Sequence, residues 1–404
     1  MTNTLNNTTL QDQDVVIVSA KRTPMGSFQG ALSSLKAPQL GGIAIEGALK
    51  AASLSGADVD EVIMGCVLSA GLGQAPARQA AIHAGLKSST SCTTINKVCG
   101  SGMKAIMLAC DQIRLNTVRI MMAGGMESMT NAPYLLDRAR SGYRFGHGKI
   151  IDHLMLDGLE DAYHPGRAMG TFAEDTAAHF DFTREDQDAY ATESLRRVQA
   201  AAKEKFFDKE IIPLELVDGK NQISLHQDET PLKVKVEKIP HLKPAFRTDG
   251  TVTAANSSSI ADGAAVVALM TAKEAHQRGI TPMAVIRGHS SHAQEPEWFT
   301  TAPIGAIEKL LQSLKWSMDD VDLFEVNEAF AVVTMAAMTK MGIPHEKVNV
   351  WGGATALGHP LGASGARIIV TLLHALEQRG LSKGIAAVCI GGGEATAIAI
   401  ERVS

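Results

Sequence analysis

The chain has 404 residues, of which 45% are hydrophobic and only 4% aromatic, with 38 Lys+Arg against 43 Asp+Glu. That length predicts two to three domains, and a formal charge of −5 excludes a basic surface for nucleic acid. The longest apolar runs, such as 263–270, fall short of the ~20 residues a membrane helix needs. Scarce aromatics with abundant Ala, Gly, Val and Ile therefore point to a soluble α/β enzyme.

Residues 1–14 are polar and lack Lys and Arg, unlike a secretory or transit segment, so a short disordered arm and a cytoplasmic location are expected. Val15-Val16-Ile17-Val18 predicts a buried strand, broken by Pro24 and Gly26, and periodicity over 40–54 predicts a helix. A strand over 61–67 leads through Gly71-Leu72-Gly73 to a helix carrying Arg78. Thr93-Thr94-Ile95-Asn96 is the next strand and runs into Cys99-Gly100-Ser101-Gly102. A helix over 103–115 follows, then a strand over 119–123 closed by a turn at Gly124-Gly125. Strands alternating with helices predict a parallel sheet covered on both faces.

Composition changes after Met129, where prolines and a charged helix over 184–205 suggest an inserted lobe. Alternation resumes at Val252 with an Ala-rich helix expected over 260–269. The last third repeats the first: a glycine turn, a helix from Ser364-Gly365-Ala366-Arg367, a strand over 385–390 and a turn at Gly391-Gly392-Gly393. The expected division is residues 1–129 with 256–282 as one half, 130–255 as the insertion, and 283–404 as the second half. Two similar α/β halves can build one shared site from facing strand ends.

Five cysteines, Cys66, Cys92, Cys99, Cys110 and Cys389, are an odd number without Cys-x-x-Cys spacing. Neither a disulfide framework nor a structural zinc site is expected, and His289-x-x-His292 has no clustered partner ligands. Cys99 stands between a strand and a helix N-terminus, where the dipole favours a thiolate and flanking glycines let a carbonyl approach. A buried cysteine in a tight turn is the plain alternative. His359 lies between Gly358 and Pro360 in a stretch too glycine-dense for a regular helix, placed either as a base or as a structural hydrogen-bonding residue. Cys389 ends a strand before three glycines and reads alone as a core residue. Asn327 follows the apolar strand over 323–326, as an N-cap or as an amide donor to a developing oxyanion.

Together these segments resemble the thiolase superfamily over nearly the whole chain. The matching blocks are Asn96-Lys97-Val98-Cys99-Gly100-Ser101-Gly102-Met103-Lys104-Ala105, Gly124-Gly125-Met126-Glu127-Ser128-Met129, Asn327-Glu328-Ala329-Phe330, Gly358-His359-Pro360-Leu361-Gly362 with Ser364-Gly365-Ala366-Arg367, and Cys389-Ile390-Gly391-Gly392-Gly393. The resemblance implies a five-layered αβαβα arrangement of two duplicated halves with an inserted, coenzyme A-binding loop domain. It implies Cys99 as the nucleophile that carries an acyl thioester, His359 as general base and oxyanion donor, and Cys389 as the second acid/base. Two oxyanion sites are implied, one from His359 and a water held by Asn327, the other from the Cys99 and Gly391 N–H groups. Leu159, Met169, Phe246, Ala254, Ser257, Ser258, Phe299 and Phe330 match positions that contact the substrate.

Cys-Gly-Ser-Gly with Met103 and Lys104 is similar to the biosynthetic type, which condenses two acetyl-CoA to acetoacetyl-CoA and CoA and runs the reverse thiolysis. Coenzyme A thioesters are then substrates, no cofactor or metal is required, and a homotetramer is expected. The pattern also departs from that type. Phe299-Thr300-Thr301-Ala302-Pro303 replaces Met-Gly-x-Gly-Pro over the acyl pocket, Trp351 stands where asparagine is common, Thr355 where isoleucine is, and Ala168 where histidine is frequent. The stretch 231–238 lacks the usual adenine-side arginine, leaving Lys233, Lys235 and Lys238 as phosphate contacts or solvated surface. A 3-ketoacyl-CoA thiolase of broader chain length is the alternative. A non-catalytic CoA or lipid carrier would be expected to lose Cys99, His359 or Cys389, and a decarboxylating synthase would not use two cysteines.

Overall fold

The computed structural model describes residues 10–218 and 221–403, so residues 1–9 of the expected N-terminal arm lie outside the described residues. The first part of the chain forms β1 (Val15–Arg22), α1 (Ala37–Ala51), β2 (Glu61–Gly65), α2 (Pro76–His83), β3 (Ser91–Ile95), α3 (Ser101–Arg114) and β4 (Ile120–Ser128). A long excursion holding α4 (Gly170–His179) and α5 (Arg184–Lys203) precedes β5 (Ala261–Thr271). The last third comprises β6 (Ala284–Ala293), α6 (Ala302–Leu314), β7 (Leu323–Val326), α7 (Ala331–Met341), α8 (Leu361–Arg379), β8 (Lys383–Ile390) and β9 (Glu394–Arg402).

The strands hydrogen-bond in the order β3-β2-β4-β5-β1-β6-β9-β8-β7. Only β2 with its two neighbours and β7 with β8 are parallel, so the sheet is mixed rather than the parallel one expected. Parallel neighbours need a crossover, which α2, α3 and α8 provide; β8 and β9 are joined by a tight glycine turn and must run antiparallel. The duplication is visible in this order. β2-β4-β5-β1 of the first half corresponds to β7-β8-β9-β6 of the second. Even a register shift recurs, between Ile17 and Ser19 in β1 and between Ile286 and Gly288 in β6.

Helices α3 and α8 pack on each other between the two sets of strands, α1 covers the outer face of the first set, and α6 that of the second. The central position explains α8, which is buried at every residue from Leu361 to Leu376 and so has no polar stripe. Its N-terminus and that of α3 meet in the middle of the molecule. There the chain places Cys99 and His359.

Two sequence expectations fail for related reasons. The Ala-rich helix expected over 260–269 is strand β5, paired on one side with β1 and on the other with β4. Buried on both faces, it has no polar alternation to betray a strand. Likewise Gly124-Gly125 is no turn: β4 runs through both residues to Ser128. These glycines are there for closeness. A Cβ on Gly124 would lie 2.0 Å from the Ala265 carbonyl oxygen, and one on Gly125 would lie 1.9 Å from that of Gly362. Because both partners are backbone, Gly125→Ala is expected to cost at least the ~1–3 kcal/mol of an overpacked core. Thermal unfolding measures this, and an unchanged Tm would contradict the close approach of the two halves.

Candidate active site

The turn that holds Cys99 is built by its own side chains. The Asn96 side-chain oxygen accepts from the Val98 N–H at 2.8 Å, while Ser101 Oγ accepts from the Lys97 N–H at 2.8 Å and donates to the Val98 carbonyl at 2.7 Å. Val98 is driven to φ +45°, a left-handed conformation that a β-branched residue rarely adopts. This strained residue immediately precedes Cys99. Cys99 is partly exposed at the wall of a cavity of ≈ 390 Å³, with the Gly391 N–H and its own N–H directed at the sulfur.

Burial pushes the Cys99 thiol up to about 11, although those two N–H groups pull the other way; the Glu127 carboxylate adds to the rise. Desolvation therefore opposes the thiolate preference expected from the helix terminus. Cys389, fully buried, is held well above the usual thiol range by burial first and by the neighbouring Cys99 second. At rest both sulfurs carry protons.

His359 is 5% exposed, and burial, with Arg367 adding to it, pushes its imidazole down to about 3, so the ring is neutral. Its backbone N–H donates to the Ser259 carbonyl at 2.9 Å. Nδ1 lies 2.5 Å from Ser364 Oγ, whose hydroxyl donates to the Pro360 carbonyl at 2.9 Å. Ser364 has one proton and has committed it, so Nδ1 carries the ring hydrogen and donates to Oγ. Nε2 is left with a free lone pair, and it has no hydrogen-bond partner within the protein. That is the state a general base requires.

Asn327 sits directly behind this ring, at 0% exposure, with its side-chain nitrogen 3.4 Å from Nδ1. Arg367, which can only donate, faces the Asn327 side-chain oxygen at 3.5 Å. The amide is thus oriented with its N–H groups toward the histidine side. Asn327 does not cap a helix as the sequence suggested, since α7 starts at Ala331 with Phe330 at its N-cap. The loop between them is pinned by Glu328, which accepts from Tyr190 and Ser194 of α5 at 2.8 Å each, from Asn349 at 2.9 Å, and from the Thr355 hydroxyl at 2.6 Å. Thr355 departs from the family pattern, and its hydroxyl is used here.

The other anchor is Glu127, in the block from Gly124 to Met129. Glu127, fully buried in β4, accepts from the N–H groups of Val67, Leu68 and Gly362 at 3.0, 3.1 and 2.8 Å. It ties the His359 loop of the second half to the first half. Burial raises its carboxyl to about 7 against these three donors. A lone acid inside an apolar strand is the signal that identifies it in sequence.

All eight residues expected to contact substrate, Leu159, Met169, Phe246, Ala254, Ser257, Ser258, Phe299 and Phe330, line the cavity that also reaches Cys99, His359 and Gly391. Asn327 and Cys389 are behind this lining. Ser257 Oγ is buried without a protein partner, like His359 Nε2, and both residues belong to the wall; buried polar atoms in that state suit a bound ligand. Phe299 packs edge-on against Phe172 at 6.2 Å, and Phe330 against Phe246 at 6.0 Å. Met155, Ile260 and Leu361 also line the cavity and were not singled out in sequence, since isolated apolar residues carry no local signal. Trp351 does not reach the lining. It stacks on Phe206 at 5.5 Å, meets Phe207 edge-on, and is 2% exposed, so it packs. Lys233 is paired with Glu229 at 2.6 Å. Among the described residues no group of three or more His, Cys, Asp or Glu is arranged to hold a metal ion.

Family models for the thiolase N-terminal domain and the thiolase C-terminal domain match residues 15–273 and 280–402. Acetyl-CoA acetyltransferase 2 of Arabidopsis thaliana is 50% identical over 392 residues, covering 96% of this chain and 97% of its own. Acetyl-CoA acetyltransferase of Cupriavidus necator is 46% identical over 391 residues, covering 96% and 99%. Among solved structures, a thiolase from Ascaris suum in complex with coenzyme A matches with TM-score 0.91 and 44% identity, covering 96% of this chain and all of its own. The Bacillus anthracis acetyl-CoA acetyltransferase matches with TM-score 0.94 and 40% identity, covering 96% and 98%.

Proposed function

The chain belongs to the thiolase family, and on that premise we propose that it is an acetyl-CoA C-acetyltransferase, condensing two acetyl-CoA to acetoacetyl-CoA and CoA through an acetyl-Cys99 thioester. The observation that carries this reading is one cavity whose wall holds Cys99 and His359, with Cys389 buried next to Cys99 and His359 Nε2 left without a protein partner.

His359 Nε2 takes the Cys99 proton as the sulfur attacks the thioester carbonyl, and the N–H groups of Cys99 and Gly391 hold the resulting oxyanion. Collapse expels CoA as a thiolate, which takes the Cys389 proton. Cys389 is now a thiolate in a site that disfavours charge, and hence a strong base. It removes an α-proton from the second acetyl-CoA, whose enolate oxygen is held by His359 Nε2–H and a water on Asn327. The carbanion attacks acetyl-Cys99, a C–C bond forms as the Cys99 thioester bond breaks, and the Cys99 thiolate takes its proton back from His359 Nε2 while Cys389 is a thiol again. Protons balance around the cycle: His359 returns to Cys99 the proton it took, and Cys389 recovers from the α-carbon the proton it gave to CoA. The reaction needs no cofactor beyond its CoA thioester substrates.

Phe299, backed by Phe172, makes a stiff wall that favours short acyl groups. Thiolysis of a four-carbon ketoacyl-CoA is therefore expected to be much faster than that of an eight-carbon one. Comparable or better rates on the longer substrate would replace this reading by a 3-ketoacyl-CoA thiolase of broader range. A homotetramer in the cytoplasm belongs to the same proposal. The support for the tetramer is the outer edge of β3, which ends the strand order, and, elsewhere on the chain, the exposed Tyr134, Phe145 and Ile150.

A further inference from the structure

The oxyanion site at Cys99 is assembled from two halves of the chain, so something must register one against the other. Cys99 stands in the turn before α3, and Gly391 in the hairpin between β8 and β9. The hairpin turn is three glycines, two of them at φ +91° and +84°, with no side chain to stiffen it. Packing supplies part of the registration: a Cβ on Gly100 would lie 2.4 Å from Ile390 Cδ1, so the two turns touch. Polar registration comes from Lys97 and Glu394. Lys97 lies two residues before Cys99 and Glu394 three after Gly391, and their side chains form an ion pair across the boundary, both partly buried. Within the hairpin Glu394 is paired with Ile390, at the base of the glycine turn.

We propose that the Lys97–Glu394 ion pair is a clasp that holds the Gly391 N–H against Cys99, making both side chains positioning residues for the oxyanion site; this rests on the thiolase reading above. A partly exposed ion pair contributes little to global stability. Its leverage is local, since an N–H donor must lie within a few tenths of an ångström of the developing charge to stabilise it. The clasp also acts before substrate binds, because the same N–H opposes the burial that raises the Cys99 thiol.

The test compares the wild type with Glu394→Gln, Lys97→Met, Glu394→Lys and the swap Lys97→Glu/Glu394→Lys. Two quantities are read: the kcat and KM of acetoacetyl-CoA thiolysis, and the pH midpoint of Cys99 alkylation by iodoacetamide without substrate. Each neutral variant is expected to lower kcat by about fivefold at unchanged KM, which is as much as a pair of this exposure can hold. Glu394→Lys, which sets two ammonium groups against each other, is expected to lower it by about tenfold or more. In every single variant the alkylation midpoint should rise, and the swap should restore both readouts. A midpoint unmoved in the single variants, or a swap that restores neither, would leave only a solvated surface contact. A rise in KM with kcat intact in Lys97→Met would make Lys97 a substrate contact and overturn the clasp. The alkylation readout needs no thioester chemistry, so a failure of the enzymatic reading would show instead as absent thiolysis in the wild type.

Discussion

Cys99→Ser is expected to abolish the acetyl-enzyme burst with labelled acetyl-CoA and to lower turnover by on the order of 10⁴-fold or more. The substitution is nearly isosteric, and the turn held by Asn96 and Ser101 should survive it, so the loss reports chemistry. A hydroxyl is a far weaker acid than a thiol, and the base beside it is poor. Burial holds His359 at about 3, and its Nδ1 meets a serine hydroxyl rather than the carboxylate that would stabilise an imidazolium. The site is therefore adapted to sulfur, which needs only a modest base. An unchanged burst in the serine variant would refute Cys99 as the nucleophile.

Cys389→Ala should separate the two halves of the reaction. Transfer of acetyl to Cys99 is expected to persist, because CoA is a thiol of pKa ~8.5 and can leave as a thiolate without an acid. Condensation has no such escape. Removing a proton from carbon demands a positioned base, and losing one typically costs ~10²–10⁴-fold. Cys389 is buried next to Cys99 and is affected by its charge, whereas His359 is already committed to the oxyanion. Acetylated Cys99 cannot ionise, so no thiolate beside Cys389 opposes its ionisation in the second half-reaction. Rapid-quench measurement of acetyl-enzyme and of acetoacetyl-CoA reads the two steps separately, and condensation at the wild-type rate would exclude Cys389 as the base.

The residues that meet at the candidate site were legible because each lies in a short segment whose glycines and polar caps dictate a local shape. Cys99 between Asn96 and Ser101 is one such segment, and His359 between Gly358 and Pro360 is another. What sequence left hidden depends on contacts between segments far apart. Gly124-Gly125 reads as a turn until Ala265 and Gly362 are found against it. The stretch 260–269 reads as a helix because a strand buried on both faces has no alternating polar face. The burial that raises the Cys99 thiol was hidden for the same reason: a helix terminus is local, but desolvation is the work of the whole surroundings. Ser364, Arg367 and Glu127 stood inside recognised motifs, yet their partners His359, Asn327 and Gly362 became evident only in three dimensions.

The central claim is that one acetyl group passes through Cys99 before a second acetyl-CoA attacks it. Loading the enzyme with carbon-labelled acetyl-CoA, removing free thioester and chasing with unlabelled acetyl-CoA tests this directly. The acetoacetyl-CoA formed in that single turnover should carry label only in its terminal acetyl unit, the one that had been bound to Cys99. Label in the unit attached to CoA, or no label in the product, would contradict the mechanism.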